Sequence, residues 1–162
     1  LWWSPDPRMV LFPGKIKISK SMRQIMSGTR FTLTRNKCFK EVLEACAQIK
    51  RAGQNGTWIT SNMKEAYLKL HDLRIAISYE VWEDNKLVGG LYGIDLGHVF
   101  CGESMFSKVS NASKFAFIKL ARDLERLNYK FIDCQLYTEH LENLGAEEIP
   151  RKKFLELLQA EV

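Results

Sequence analysis

Apolar residues recur three and four apart along several stretches of this chain, and between those stretches they alternate or cluster in short runs. Phe39, Val42, Leu43, Cys46 and Ile49 predict a helix over residues 37–50. The turn-rich Ala52-Gly53-Gln54-Asn55-Gly56 ends it and leads into Thr57-Trp58-Ile59-Thr60. Ala66, Tyr67, Leu70 and Leu73 predict a second helix reaching about residue 73, with Ser61 as its N-cap. The longest helical stripe is Ala112, Ala116, Leu120, Leu124 and Leu127, over residues 111–128. Shorter helices are predicted at 21–26, at 139–144, where Gly145 closes the turn, and at 151–161.

Strand patterns fill the gaps. Residues 31–34, 75–83, 86–94, 98–103, 131–135 and 147–149 read as strands, and Asp84-Asn85 is a two-residue hairpin turn between the second and third. Pro5, Pro7 and Pro13 keep the first twenty residues extended. Three antiparallel strands, a long helix and then a buried-looking strand predict a mixed α/β (α+β) sheet covered by helices. The long helix is the crossover. This is an acetyltransferase-like layout, expected to form a single domain over 1–162.

Composition narrows the function. The chain has 162 residues, 46% hydrophobic and 27% charged, and no apolar run long enough to span a bilayer. No secretory leader is recognisable, so a cytoplasmic protein with reduced thiols is expected. Because it starts on Leu1, a processed form or a fragment is also expected, with Trp2 and Trp3 needing something to pack on. The four cysteines (Cys38, Cys46, Cys101, Cys134) and three histidines (His71, His98, His140) show no metal-ligand spacing, and no metal is expected.

Net charge is +5 (24 basic against 19 acidic side chains) and is uneven. No acidic residue occurs from Arg8 to Lys40, where Lys15, Lys17, Lys20, Arg23, Arg30, Arg35 and Lys37 accumulate. Such clustering suits a phosphate-contacting face.

Candidate chemistry lies in two segments. Phe100-Cys101-Gly102-Glu103-Ser104-Met105-Phe106-Ser107 and Phe131-Ile132-Asp133-Cys134-Gln135 each set a carboxylate among apolar neighbours. Strand alternation predicts that Asp133 and Gln135 share a face, opposite Ile132 and Cys134. A carboxylate beside a primary amide can orient an amine and steady a developing oxyanion, as acyl transfer to an amino group requires.

These segments carry a resemblance when set beside Trp2-Trp3-Ser4-Pro5-Asp6-Pro7-Arg8, Gly56-Thr57-Trp58-Ile59-Thr60, Ser78-Tyr79-Glu80-Val81-Trp82 and Leu87-Val88-Gly89-Gly90-Leu91-Tyr92-Gly93. Asn111-Ala112-Ser113-Lys114 and Leu144-Gly145-Ala146 add to it. Together they resemble the leucyl/phenylalanyl-tRNA–protein transferases over nearly the whole chain.

The resemblance implies a bacterial cytoplasmic enzyme whose partners are Leu-tRNA and Phe-tRNA as donors and proteins with N-terminal Arg or Lys as acceptors. Leu or Phe, with Met a further donor, is moved onto the acceptor and marks it for degradation. No cofactor is implied, because the aminoacyl ester is already activated, and a monomer is expected. Members usually carry a small N-terminal domain ahead of the Trp-Trp-Ser-Pro-Asp-Pro-Arg segment, within which this chain begins.

By the same resemblance Glu103, Asp133 and Gln135 are the catalytic group. Leu91, Met105, Phe117, Leu120, Leu124 and Ile132 would line the amino-acid pocket, with leucines at 120 and 124 where larger aromatics are expected. Trp58 and Phe100 would bracket the terminal adenosine of the tRNA, and Lys20, Arg23 and Arg30 would contact its phosphates. Direct attack by the α-amine is expected, against a rival in which Cys101 or Cys134 is a thiol nucleophile. Two other functions stay open: an acyl-CoA-dependent N-acyltransferase, disfavoured by the lack of glycine in Ser107-Lys108-Val109-Ser110-Asn111-Ala112, and a non-catalytic tRNA- or degron-binding module.

Overall fold

The computed structural model describes residues 4–49 and 57–159. Trp2, Trp3 and the predicted 52–56 turn lie outside them. The elements run β1 (Arg8–Leu11), α1 (Lys20–Ser27), β2 (Thr32–Arg35), α2 (Phe39–Gln48), α3 (Ser61–Asp72), β3 (Ala76–Glu83), β4 (Lys86–Asp95) and β5 (Val99–Ser107). They continue with α4 (Ala112–Arg126), β6 (Phe131–Gln135), α5 (Glu139–Asn143), β7 (Glu147–Ile149) and α6 (Arg151–Gln159). A short 3-10 turn, Pro13–Lys15, follows β1.

The strands form one seven-stranded sheet in the order β2-β3-β4-β5-β6-β1-β7. All pairings are antiparallel except β5 with β6, which α4 connects as a crossover. The fold is therefore the expected mixed, mainly antiparallel sheet covered by helices. At the β3–β4 hairpin, Asp84 (φ 50°) and Asn85 (φ 59°) both take the left-handed conformation that a two-residue turn demands and that short polar side chains tolerate.

Helices cover both faces. On one, α4 and α1 bury Met22, Phe115, Leu120 and Leu124 against Tyr79, Leu91 and Ile132. On the other, α2 packs Phe39, Val42 and Leu43 on Tyr92 and Phe106. α4 approaches β4 closely where Gly89 meets Ala112: a Cβ on Gly89 would lie 2.5 Å from that of Ala112. A third cluster joins Val10, Val99, Phe131 and Phe154, seating β1 and α6 on β6.

Several expectations are corrected. The N-cap of α3 is Thr60, whose Oγ1 accepts from the Met63 amide, and Ser61 is already helical. Leu73 and Leu127 follow their helices as C-caps and are 68% and 58% exposed, so neither completes its stripe. β5 runs past Glu103 to Ser107 because a register slip absorbs that residue: Tyr92 pairs Ser104 while Gly93 pairs Gly102. The extended N-terminal stretch supplies β1, an interior strand between β6 and β7.

Candidate active site

β5 and β6 pair at Val99↔Phe131, Phe100↔Ile132 and Cys101↔Asp133, and the ladder stops there although both strands continue. A cavity of about 460 Å³ opens where they part, walled by β4, β5, the end of β6, α4 and the β6–α5 loop. Leu91, Met105, Phe117, Leu120 and Ile132 line it, and so do Glu103 and Gln135. Leu124 does not: one turn further along α4, it is 2% exposed within the core.

Glu103 occupies the slipped position of β5 and sets a carboxylate in the wall of this mostly apolar space. It accepts a hydrogen bond from Tyr67 Oη at 2.8 Å. Burial pushes its carboxyl above the usual carboxylate range and the Asp133 charge adds to this, while hydrogen bonds from Tyr67 and Gln135 and the charge of Arg8 pull it back. Burial and the neighbouring Glu103 push the Tyr67 phenol up, so it is a donor at neutral pH. The Gln135 amide also donates to the Gly102 carbonyl at 3.3 Å, bridging the parted strands.

Asp133 departs from expectation. Gln135 has φ +66°, in the left-handed region, and this breaks the alternation that would set it beside Asp133. Gln135 turns into the cavity, while Asp133, 2% exposed, lies on the other side against Arg8. The guanidinium donates through Nε to Oδ1 (3.0 Å) and through Nη2 to Oδ2 (2.6 Å), and the Gln135 backbone amide also donates to Oδ1 at 3.0 Å. These bonds anchor β1 to β6 through Asp133, which is not among the residues lining the cavity.

Trp58 and Phe100 do not bracket a common space. Phe100 is 0% exposed and its ring covers Gly93, where a Cβ would come within 2.5 Å of Cζ. Its edge contributes to the cavity wall, but it offers no free face for stacking. Trp58 packs against the cluster beneath α2 and α3, a different core from that of Phe100.

Of the basic candidates, Lys20 and Arg23 are exposed on α1, whereas Arg30 is paired with Glu83 at 2.6 Å and lies over the Phe31 ring. The thiols of Cys101 on β5 and Cys134 on β6, of which only Cys134 lines the cavity, are held protonated. Burial first, then nearby Asp133, raises Cys101 and Cys134 to about 12. No group of His, Cys, Asp and Glu able to hold a metal occurs among the described residues. At the start of α4, Ser107 Oγ accepts from the Ser113 amide at 3.2 Å and no glycine cradle for a pyrophosphate is formed, which counts against acyl-CoA.

Comparison with known proteins decides between these readings. The family model described as leucyl/phenylalanyl-tRNA protein transferase matches residues 10–159. The chain belongs to that family.

Among curated leucyl/phenylalanyl-tRNA–protein transferases, the protein of Flavobacterium johnsoniae is 64% identical over 160 residues, covering 99% of this chain and 76% of the relative. That of Christiangramia forsetii is 62% identical, covering 98% and 76%. A solved structure of a conserved protein of unknown function from Bacteroides thetaiotaomicron aligns with TM-score 0.53 at 14% identity, over 97% of this chain and 57% of that one. One from Staphylococcus epidermidis aligns with TM-score 0.54 at 9% identity, over 90% and 59%. Those two likenesses concern the fold alone.

Arg8, Tyr67 and His140 are site residues that sequence pattern does not single out. Arg8 closes the Trp2–Arg8 segment with no partner that spacing reveals, and Tyr67 reads as one position of a helical stripe. His140 also lines the cavity; burial, then Lys114, lowers its pKa below the ordinary imidazole range. Only the length of the shared segments hints at the first of these.

Proposed function

We propose that this transferase moves Leu or Phe, and Met as a further donor, from its tRNA ester onto the N-terminal Arg or Lys of a protein, and acts as a cytoplasmic monomer. The observation that carries this reading is the apolar cavity opening between β5 and β6, with Glu103 and Gln135 in its wall, in a chain of this family. The donor side chain enters among Leu91, Met105, Phe117, Leu120 and Ile132. A pocket of this kind separates substrates differing by one methylene by roughly 1–3 kcal/mol.

In the reaction the acceptor's α-nitrogen attacks the ester carbonyl, a C–N bond forms, and the C–O bond to the ribose breaks. Two protons must be handled. The incoming ammonium gives one up before it can attack, and Glu103, whose raised pKa brings it nearer that of an amine, receives it. The second leaves the nitrogen as the bond forms, and the ribose oxygen ends protonated as the leaving hydroxyl. The Gln135 amide steadies the negative charge that builds on the ester oxygen. Because Cys101 and Cys134 are both held as thiols, no acyl-enzyme is required.

Transfer of labelled Phe from charged tRNA to a model protein beginning with Arg tests the proposal. The same protein beginning with Ala should remain unlabelled. Labelling of both alike, or of neither, overturns it.

A further inference from the structure

From Ala112 to Leu124 the positions of α4 that are not buried are Ser113, Lys114, Lys119, Arg122 and Asp123. Three of them are cations, and among the described residues none of the three is in an ion pair. The acid is already engaged: Asp123 accepts from Tyr79 Oη at 3.1 Å and lies 3.4 Å from the Arg126 guanidinium. Like charges three apart, as at Lys119 and Arg122, repel along a helix, so the stability of α4 gives no account of them.

Ring contacts fix where this face lies. Lys119 Nζ sits 5.4 Å from the centre of the Phe115 ring, Phe115 meets Phe31 edge-on with centroids 5.4 Å apart, and Arg30 lies over Phe31. Met22, Ile25 and Met26 of α1 pack into the same cluster as Phe31 and Phe115. The outer side of α1, which bears the exposed Lys20 and Arg23, therefore adjoins the cationic face of α4. The same helix also reaches the cavity. Phe117 and Leu120 are in its wall, and the charge of Lys114 acts on His140, another wall residue. With 15 residues, α4 spans about 22 Å.

A line of separate cations that starts beside a cavity fits a charged polymer whose end enters that cavity. It does not fit a lipid surface, because no exposed apolar side chain accompanies these cations between Ala112 and Leu124. Resting on the aminoacyl-tRNA reading of the cavity, we infer that the donor's stem lies along α4, its phosphates meeting Lys119 and Arg122 beside Lys20 and Arg23, with Lys114 nearest the 3′ end. These α4 positions lie outside the basic first third of the chain that sequence pattern singles out.

Filter binding of uncharged tRNA across a salt series tests this. The Lys119→Gln, Arg122→Gln double variant should lose roughly 1.4–1.8 from the log–log slope, 0.7–0.9 for each phosphate no longer neutralised. Each single Gln variant should lose half as much, which keeps the test open if the double variant does not fold. Lys119→Arg, Arg122→Lys keeps both charges and should keep the slope. Lys152→Gln, Lys153→Gln on α6, which packs on the opposite face of the sheet, should leave it unchanged. Unchanged slopes in the folded Gln variants, or an equal loss in the α6 or the charge-keeping pair, overturn the inference. So does a wild type that retains no tRNA, or that binds anionic phospholipid vesicles in its place. The expected slopes without transfer of Phe to an Arg-starting protein would strike the transfer reading alone.

Discussion

Arg8 and Asp133, 125 residues apart, are joined by two hydrogen bonds of 3.0 and 2.6 Å, with 16% and 3% of their side chains exposed. The pair ties β1 to β6 immediately beside the point where β5 and β6 separate. The Arg8 guanidinium also lies 4.7 Å from the centre of the Phe154 ring, so it connects the sheet to α6.

Removing one partner of a buried ion pair leaves the other charge uncompensated and costs about 3–5 kcal/mol. Asp133→Ala should therefore lower the urea midpoint by that equivalent, and the Arg8→Met, Asp133→Leu double variant should recover a large part of it. The kcat of the folded fraction of Asp133→Ala should stay within about tenfold of wild type, since Asp133 is not among the residues lining the cavity. A drop in turnover with unchanged stability would return Asp133 to the chemistry.

Glu103→Gln should cut kcat by about 100-fold, the scale of general base catalysis, with stability preserved or raised. The wild-type rate should fall as the pH drops through the elevated Glu103 pKa. The Tyr67 hydrogen bond lowers that pKa, so Tyr67→Phe should move the acidic limb to higher pH. Stability has the opposite sign: a carboxyl raised on folding contributes fully below its unfolded pKa, and the contribution is lost as the pH rises through the folded value. Stopped-flow transfer and urea melts across the pH range measure both limbs.

Thiol chemistry is checked through Cys101 and Cys134. Both sit near pKa 12 because burial disfavours the thiolate, so each should react with iodoacetamide far more slowly than a free thiol at pH 8. Cys134→Ala should retain kcat within about threefold, while the poorer packing costs on the order of 1 kcal/mol. Trapping of a thioester in wild type would contradict this.

Lys20→Gln and Arg23→Gln should weaken tRNA binding and flatten its salt dependence, by roughly 0.7–0.9 in the log–log slope for each phosphate no longer neutralised. Arg30→Gln should do less, because Arg30 is held by Glu83. Filter binding between low and moderate salt measures the slopes.

Much of this architecture is legible from local pattern. The hairpin at Asp84-Asn85 and the strands Phe131–Gln135 and Glu147–Ile149 form where turn chemistry and alternation predict them. Most of the apolar pocket is legible as well, because Leu91, Met105, Phe117, Leu120 and Ile132 each sit on a regular element. Two local irregularities redirect the polar residues. The slip at Glu103 and the positive φ of Gln135 each interrupt the regular alternation of their strands, and neither leaves a mark in an apolar–polar pattern. The Arg8–Asp133 pairing is set by tertiary topology, as β1 returns to the sheet between β6 and β7. Similarly, Thr60 and Ser61 are equally good caps by residue type, and only the backbone decides between them.

The most direct test is a single-turnover comparison of wild type, Glu103→Gln and Gln135→Ala, with labelled Phe-tRNA as donor and an Arg-starting protein as acceptor. Wild type should form the new peptide bond, and each variant should bind tRNA with unchanged affinity while forming it at least about 30-fold more slowly. Wild-type rates in both variants would show that the chemistry does not occur between β5 and β6.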